Sequence, residues 1–365
     1  MRLNLIYDHT NTNILADLDL TDHRRYVIRN MVPPGYEAYF QEQARYMSAH
    51  TSTAIEGNPL SDEQAMLVLV EGADEDNPDE LEKVNLEEAY EMIGLLAADK
   101  TVKVDEGIIR TLNSMTLKGL PDSAARRRGT YRVGGSLIVD FDTRVVRYRP
   151  PPPQWVPELM AGLAADIQRW MVEEPPPIAA ALAHFALISI HPFDDGNGRT
   201  ARLVADLILE IKGWSVEGML SISKIVYDKH REYYDVLRSC QGDDFKEEVD
   251  VTDFLRFHTS ALFIASASLE DKVVAFNKRR DALIRDTAGA LNERQVTALM
   301  FMGDVGPLSS SMYARVTKSS SSSAHSDLAD LLDKGLVARE GGGRSTRYRI
   351  HPKLLERSET RAAPA

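Results

Sequence analysis

The chain has 365 residues, 43% of them hydrophobic and 27% charged, which is the composition of a folded globular protein of two or three domains and excludes wholesale disorder. Its single cysteine, Cys240, excludes an intramolecular disulfide framework and an all-cysteine metal site. The net charge of −12 makes the body a poor general nucleic-acid binder, yet from Ala290 onward 11 Lys and Arg stand against 8 Asp and Glu, so this tail is +3 and the remainder −15.

The N-terminal stretch MRLNLIYDHTNTNILADLDL places Asp8 and His9 where a secretory leader needs an apolar core, so a cytoplasmic location is expected. A helix is predicted over 35–55, with apolar side chains at Tyr36, Phe40, Ala44, Met47 and Ile55 and one interruption at Thr51. Ser61 and Gln64 then form a capping box at the start of SDEQAMLVLVEG. The acidic, turn-rich EGADEDNPDE (71–80) separates this from helices predicted at 79–98 and 105–117. GTYRVGGSLIVDFDTRVVRYRP (129–150) is rich in Val, Ile, Tyr and Thr and predicts a β-hairpin turning near DFDTR. After the prolines at 150–153, helices are predicted at 155–172, 178–190, 198–212, 228–240 and 251–283. The longest apolar run, Ile178 to Ile190, has 13 residues, against about 20 for a membrane span. It predicts a buried core helix and no membrane partner.

The stretch HPFDDGNGRTAR (191–202) follows that run directly. Pro192 ends the first helix, and Gly196 and Gly198 open backbone conformations closed to other residues. A loop running into a helix N-terminus is a ready anion site. Arg199 and Arg202 project from the first turn toward the same anion, which suggests a polyphosphate. Asp195 is placed to hold Mg2+, and His191 has the proton affinity of a base near neutral pH. Taken singly, His191 reads as a helix cap, the arginines as surface ion pairs and GNGR as a turn; their joint occurrence points to nucleotide chemistry.

These residues resemble the signature of the Fic-domain family, H-P-F-x-[D/E]-G-N-G-R-x-x-R, at every specified position from His191 to Arg202. The resemblance extends over most of residues 35–270. It implies a protein adenylyltransferase using ATP and Mg2+. His191 would deprotonate a target hydroxyl and Asp195 would hold the metal. Gly196, Asn197 and Gly198 would hold the α-phosphate, and Arg199 and Arg202 the β- and γ-phosphates. It further implies a protein target paired along the 132–148 hairpin, Tyr233 and Tyr234 at the adenine, and Gln241 where relatives carry an asparagine facing the base. The two tyrosines read equally well as core aromatics. STAIEGN (52–58) resembles the family's inhibitory pattern through Ser52, Glu56 and Gly57, with Glu56 pairing Arg202 in the γ-phosphate space.

The expected fold is mainly α: a Fic-type helical bundle with a β-hairpin flap and a C-terminal winged helix-turn-helix. The expected division is 1–110 for the N-terminal region carrying the inhibitory helix (about 35–58), 111–270 for the catalytic core, 271–289 for a linker helix, 290–354 for the winged helix and 355–365 for a disordered tail. The wing, with Arg344, Arg347 and Arg349, and the serine-rich helix from Ser320 make DNA a candidate partner, opposed by Asp327, Asp330 and Asp333 on that helix. His325 is read as a solvated face residue, and Cys240 and His184 as core residues. The resemblance also carries the expectation of a homodimer. A nucleotide-sensing DNA-binding regulator, removal of AMP and phosphoryl transfer are the alternatives.

Overall fold

The structure, a computed structural model, describes residues 2–99, 101–121, 127–139, 145–343 and 346–351. The turn expected near 140–144, Arg344 and the tail at 355–365 lie outside the described residues. Mainly helical architecture follows from the periodicity, with three two-stranded pairings among the described residues.

The apolar run becomes α7 (Pro176–Ile190), where nearly every side chain is buried. Its alanines Ala179, Ala180, Ala181 and Ala183 are fully enclosed, and such small residues let neighbouring helices approach closely. Against α7 packs α8 (Asn197–Ile211), and around this pair lie α4 (Pro78–Ala98), α5 (Glu106–Thr116), α6 (Val156–Glu173) and α11 (Thr252–Asp286). The C-terminus of α7 and the N-terminus of α8, which flank the loop between them, are thereby fixed by two helices whose side chains are nearly all buried.

α2 (Glu37–Ile55) occupies the predicted inhibitory segment and packs on α4 and α9 (Ser223–Asp228). α3 (Asp62–Glu71) opens with the predicted capping box, Ser61 Oγ accepting from Gln64 N while the Gln64 side chain accepts from Ser61 N. The predicted hairpin pairs β2 (Ile138–Val139) with β3 (Val146–Tyr148) in antiparallel register. The helix predicted at 228–240 is α10 (His230–Gln241). α11 runs unbroken through residue 270, and beyond that point Val273 and Phe276 are still buried, Phe276 packing on Tyr36, Tyr39 and Phe40.

Sequence reasoning missed α1 (Thr12–Met31), which packs along α11, and β1 (Asn4–Ile6), which pairs in parallel with β4 (Glu248–Asp250). The reason is visible in α1 itself: its buried positions are Ile14, Thr21 and Ile28, a thin stripe with a polar member, while Leu15, Leu20 and Tyr26 are exposed.

At the C-terminal end come α12 (Glu293–Val305), α13 (Ser310–Val316), α14 (Ser321–Asp333) and the antiparallel pair β5 (Val337–Glu340) and β6 (Arg347–Ile350). Three helices followed by a hairpin is the element order of a winged helix. Ser309 and Ser320 cap α13 and α14 through their hydroxyls. His325 is exposed, His184 fully buried and Cys240 half-buried.

Candidate active site

α7 ends at His191, whose backbone sits in the left-handed region at φ 51°. That conformation is strained for a non-glycine residue, and neighbouring bonds hold it. His191 N donates to Leu187 O at 2.9 Å, and the His191 carbonyl accepts from Arg132 Nε at 2.8 Å. Arg132 is almost wholly buried and also donates to Pro151 O (2.6 Å), while its own backbone N donates to Pro192 O (2.9 Å). The flap is therefore stapled at its base to the loop that carries the imidazole. Burial and the Arg132 charge depress the His191 pKa to about 4, the nearby Glu56 acting the other way, so its proton affinity lies below the near-neutral value expected from the sequence.

Gly196 starts α8 at φ 75°, and a Cβ there would stand 3.0 Å from Asn113 Nδ2 and 3.0 Å from Thr116 Oγ1, so position and conformation both require glycine. Asn113 explains the loop's shape: its Nδ2 donates to Asp195 O at 2.9 Å and its Oδ1 accepts from Gly129 N at 2.9 Å. Asn197 closes the loop on itself, Oδ1 accepting from Phe193 N and Nδ2 donating to Phe193 O, each at 2.9 Å. With its side chain so engaged, what Asn197 can offer an anion is its backbone N–H.

The two arginines are held by different carboxylates instead of sharing one. Arg199 donates to Glu82 Oε1 at 2.9 Å and to Asp195 at 3.3 Å, and its buried Nε has no partner among the described residues. Arg202, also buried, donates to Ser52 Oγ (2.7 Å), Ser52 O (2.9 Å) and Glu56 Oε1 (2.7 Å). Burial disfavours the Glu56 carboxylate, but the Arg202 and Arg199 guanidiniums outweigh it and hold the pKa below the usual range. A Cβ at Gly198 would overlap Glu56 Oε1, so the carboxylate rests directly on the first turn of α8, where unpaired backbone N–H groups and the helix dipole favour negative charge. Gly57, at φ 97°, turns the chain away immediately after Glu56.

Tyr233 is buried, its hydroxyl 3.1 Å from His184 Nε2, whereas Tyr234 is part-exposed with its hydroxyl toward Ile55 O at 3.4 Å. Gln241 donates its amide to Ser189 Oγ at 2.9 Å, a core contact. Asp195 keeps 43% of its side chain exposed. Sequence reasoning missed Arg132, Asn113 and Glu82, which reach the loop from 59, 82 and 117 positions away.

The family model described as Fic/DOC matches residues 103–209, the segment from the start of α5 to the end of α8 that builds this loop. Over those residues the chain is similar to a Fic domain. Consistent with that, a crystal structure of a Fic family protein from Desulfovibrio desulfuricans aligns over 93% of this chain and 94% of its own at 25% identity, with a TM-score of 0.55. A Fic domain containing signaling protein from Bacteroides thetaiotaomicron shares the fold, with a TM-score of 0.59 at 23% identity over 71% of this chain and 98% of its own. Among curated relatives, the chain is 29% identical over 224 residues to Protein adenylyltransferase Fic of Culex quinquefasciatus, covering 60% of this chain and 40% of that one. It is 30% identical over 181 residues to Protein adenylyltransferase fic-1 of Caenorhabditis elegans, covering 46% and 32%. The chain thus spans less than half the length of these curated relatives.

Proposed function

We propose that the chain transfers AMP from ATP to a hydroxyl group of a protein target, and that α2 holds it at rest. In this reaction a target oxygen attacks the α-phosphorus, the bond from that phosphorus to the bridging oxygen of the β-phosphate breaks, and pyrophosphate departs. The hydroxyl proton goes to His191, whose depressed pKa keeps the ring neutral with its lone pair free at physiological pH, though as a weaker base than an ordinary imidazole. The first turn of α8 and Arg202 hold the phosphates, so most of the catalysis is positioning and charge neutralisation. The observation that carries the reading is the placement of Glu56: a carboxylate seated on Gly198 and Arg202 occupies an anion site that a phosphate competes for.

Asp195 suits Mg2+, because it offers a hard oxygen that is still accessible. Among the described residues no three His, Cys, Asp or Glu side chains cluster, so such an ion would complete its shell from phosphate oxygens and water, as Mg2+ commonly does. Bound there, it would supply neutralisation of phosphate charge. The flap supports docking of a protein target: Val133, Leu137, Val139 and Val145 expose apolar surface along it, as suits pairing with an extended segment. Incubating the Glu56→Gly variant with α-labelled or γ-labelled ATP tests the reading. Label from the α position alone, lost with His191→Ala, is expected; label from the γ position, or none, would refute it.

One observation favours a second reading for residues 290–351. Asp327, which argued against DNA in the sequence, is turned inward onto Arg294 (2.7 Å), Asn292 (2.8 Å) and Tyr313 (3.0 Å), and Asp330 pairs with Lys334. The outward face of α14 presents Ser321, Ser322, His325 and Ser326. A duplex-binding titration at two salt concentrations tests it, steep salt dependence being the expected result.

A further inference from the structure

Away from the nucleotide-side contacts, the N-terminal half of α2 walls a second cavity of about 510 Å³ that shares no lining residue with the 191–202 loop. The segment at 219–225, α11 and the end of α12 complete it. Its walls are largely apolar, with Phe40, Met47, Met66, Met219, Ile225 and Leu269 contributing most of the surface chemistry. The three methionines make the lining adaptable. A volume of this size with an apolar lining and a few polar groups is that of a small-molecule site.

The polar groups are unevenly matched. Lys224 and Lys272 stand near each other at the cavity, and burial together with the Lys224 charge lowers the Lys272 pKa. Lys224 is paired with Asp228. Lys272 has no hydrogen-bond or ion-pair partner among the described residues. The nearest carboxylate that stabilises its charge, Asp304, is already bound by Arg279 (2.7 Å), Gln43 (3.3 Å) and the Tyr39 hydroxyl. The Ser48 and Ser268 hydroxyls also line the cavity without a hydrogen-bond partner among the described residues. In a chain of net charge −12 this is a local excess of positive charge facing apolar walls. An apolar ligand would gain nothing from the ammonium, which still reaches solvent, and a hydrophilic anion would gain nothing from the apolar walls.

We propose that this cavity binds a small amphipathic organic anion, with its alkyl or aromatic body between α2 and α11 and its charged head at Lys272. One consequence rests on the nucleotide reading given above. Ser48 lines the cavity, and Ser52 and Glu56, four and eight positions on, contact Arg202 from the same face of α2. Eight residues of helix span about 12 Å. A ligand whose affinity differs between docked and displaced α2 therefore shifts the Glu56 contact by that ratio.

The test titrates the full chain with the fluorescent anion 8-anilinonaphthalene-1-sulfonate and displaces it with decanoate or decan-1-ol. The expected result is saturable one-site binding, displacement by decanoate at about tenfold lower concentration than by the alcohol, and loss of that preference in Lys272→Glu with an unchanged circular dichroism spectrum. Ala44→Trp, which fills the cavity, should remove binding altogether. Unsaturable binding, equal displacement by acid and alcohol, or indifference to both substitutions overturns the site. Calorimetry of ATP with saturating decanoate separates the two readings. A changed ATP affinity in the parent chain but not in Glu56→Gly supports the coupling, and no change in either overturns it. Failure of Glu56→Gly to bind ATP sinks the nucleotide reading and leaves the anion site standing.

Discussion

His191 combines three conditions that individually cost stability: a left-handed backbone, burial of a titratable ring and a guanidinium close by. The last two act on its protonation in the same direction, so the ring should titrate with a midpoint near pH 4, read by histidine ring NMR with His191→Ala supplying the assignment. A midpoint near the ordinary value of about 6.5 would show that burial and the Arg132 charge do not govern the protonation of this ring. At Gly198 a methyl group would take the place now filled by Glu56 Oε1. Because that oxygen ends a flexible side chain, Gly198→Ala should fold normally yet lose ATP binding even when combined with Glu56→Gly; retention of tight binding by the double variant would show that the first turn of α8 is not where the phosphates rest. Glu56→Gly alone removes a charge-assisted bond of 2.7 Å to Arg202. Such bonds contribute about 1.5–3 kcal/mol, so ATP affinity measured by calorimetry should rise about tenfold or more.

Between the residues and the fold, the loop is shaped by elements that contribute no atom to the proposed reaction. α5 presents Asn113 to both Gly129 N and Asp195 O, and the flap presents Arg132 to His191 O. Removing Arg132 frees a strained residue, and a displacement of about 1 Å at a reacting group is enough to cost about 100-fold in rate. Arg132→Ala in the Glu56→Gly background should therefore lower kcat by about that factor with little change in ATP affinity. A fall in affinity with kcat preserved would assign Arg132 to binding instead of positioning. The same elements explain what could be read in advance. The residues from His191 to Arg202 are contiguous, so their chemistry is visible in twelve consecutive letters. Asn113, Arg132 and Glu82 are ordinary polar residues in sequence and acquire meaning only when packing of α4, α5 and the flap around α8 brings them to the loop. The helix at 35–55 was legible from its stripe, and α1 was not, because only Ile14, Thr21 and Ile28 of its side chains are fully buried, one of them polar.

Across the molecule, the C-terminal helices are in contact with α2 itself: Arg315 on α13 pairs with Glu42 at 2.7 Å, and Asp304 on α12 binds the Tyr39 hydroxyl and Gln43. The proposed resting contact and the C-terminal elements thus share one helix. Buried ionisable groups also give the whole chain a defined response to acid. His258 is held at about 4 and His184 well below the ordinary value by burial, and His191 behaves alike. Their folded pKa values lie below the unfolded one, so the unfolded chain takes up protons first as pH falls below about 6.5, and stability is lost between there and about 4. Asp206, pushed up to about 6 by burial, works in the opposite sense because its folded form binds the proton first. Three groups against one leave a net loss. Urea unfolding should show lower stability at pH 5 than at pH 7, by on the order of 1–2 kcal/mol for each histidine less the Asp206 gain; equal stability at both would refute the buried neutral state of these rings.

The order of the letters alone determined the helical class, the apolar helix at the centre and the glycine-rich polar loop that follows it, since each depends on neighbours within a turn or two, while Glu56 stood out only through its likeness to a family pattern. That Glu82 meets Arg199, what clamps His191, how Asp327 faces inward and where α1 and β1 dock were decided only by the tertiary structure. Those contacts join residues tens to hundreds of positions apart, and no local periodicity encodes a partner at that distance.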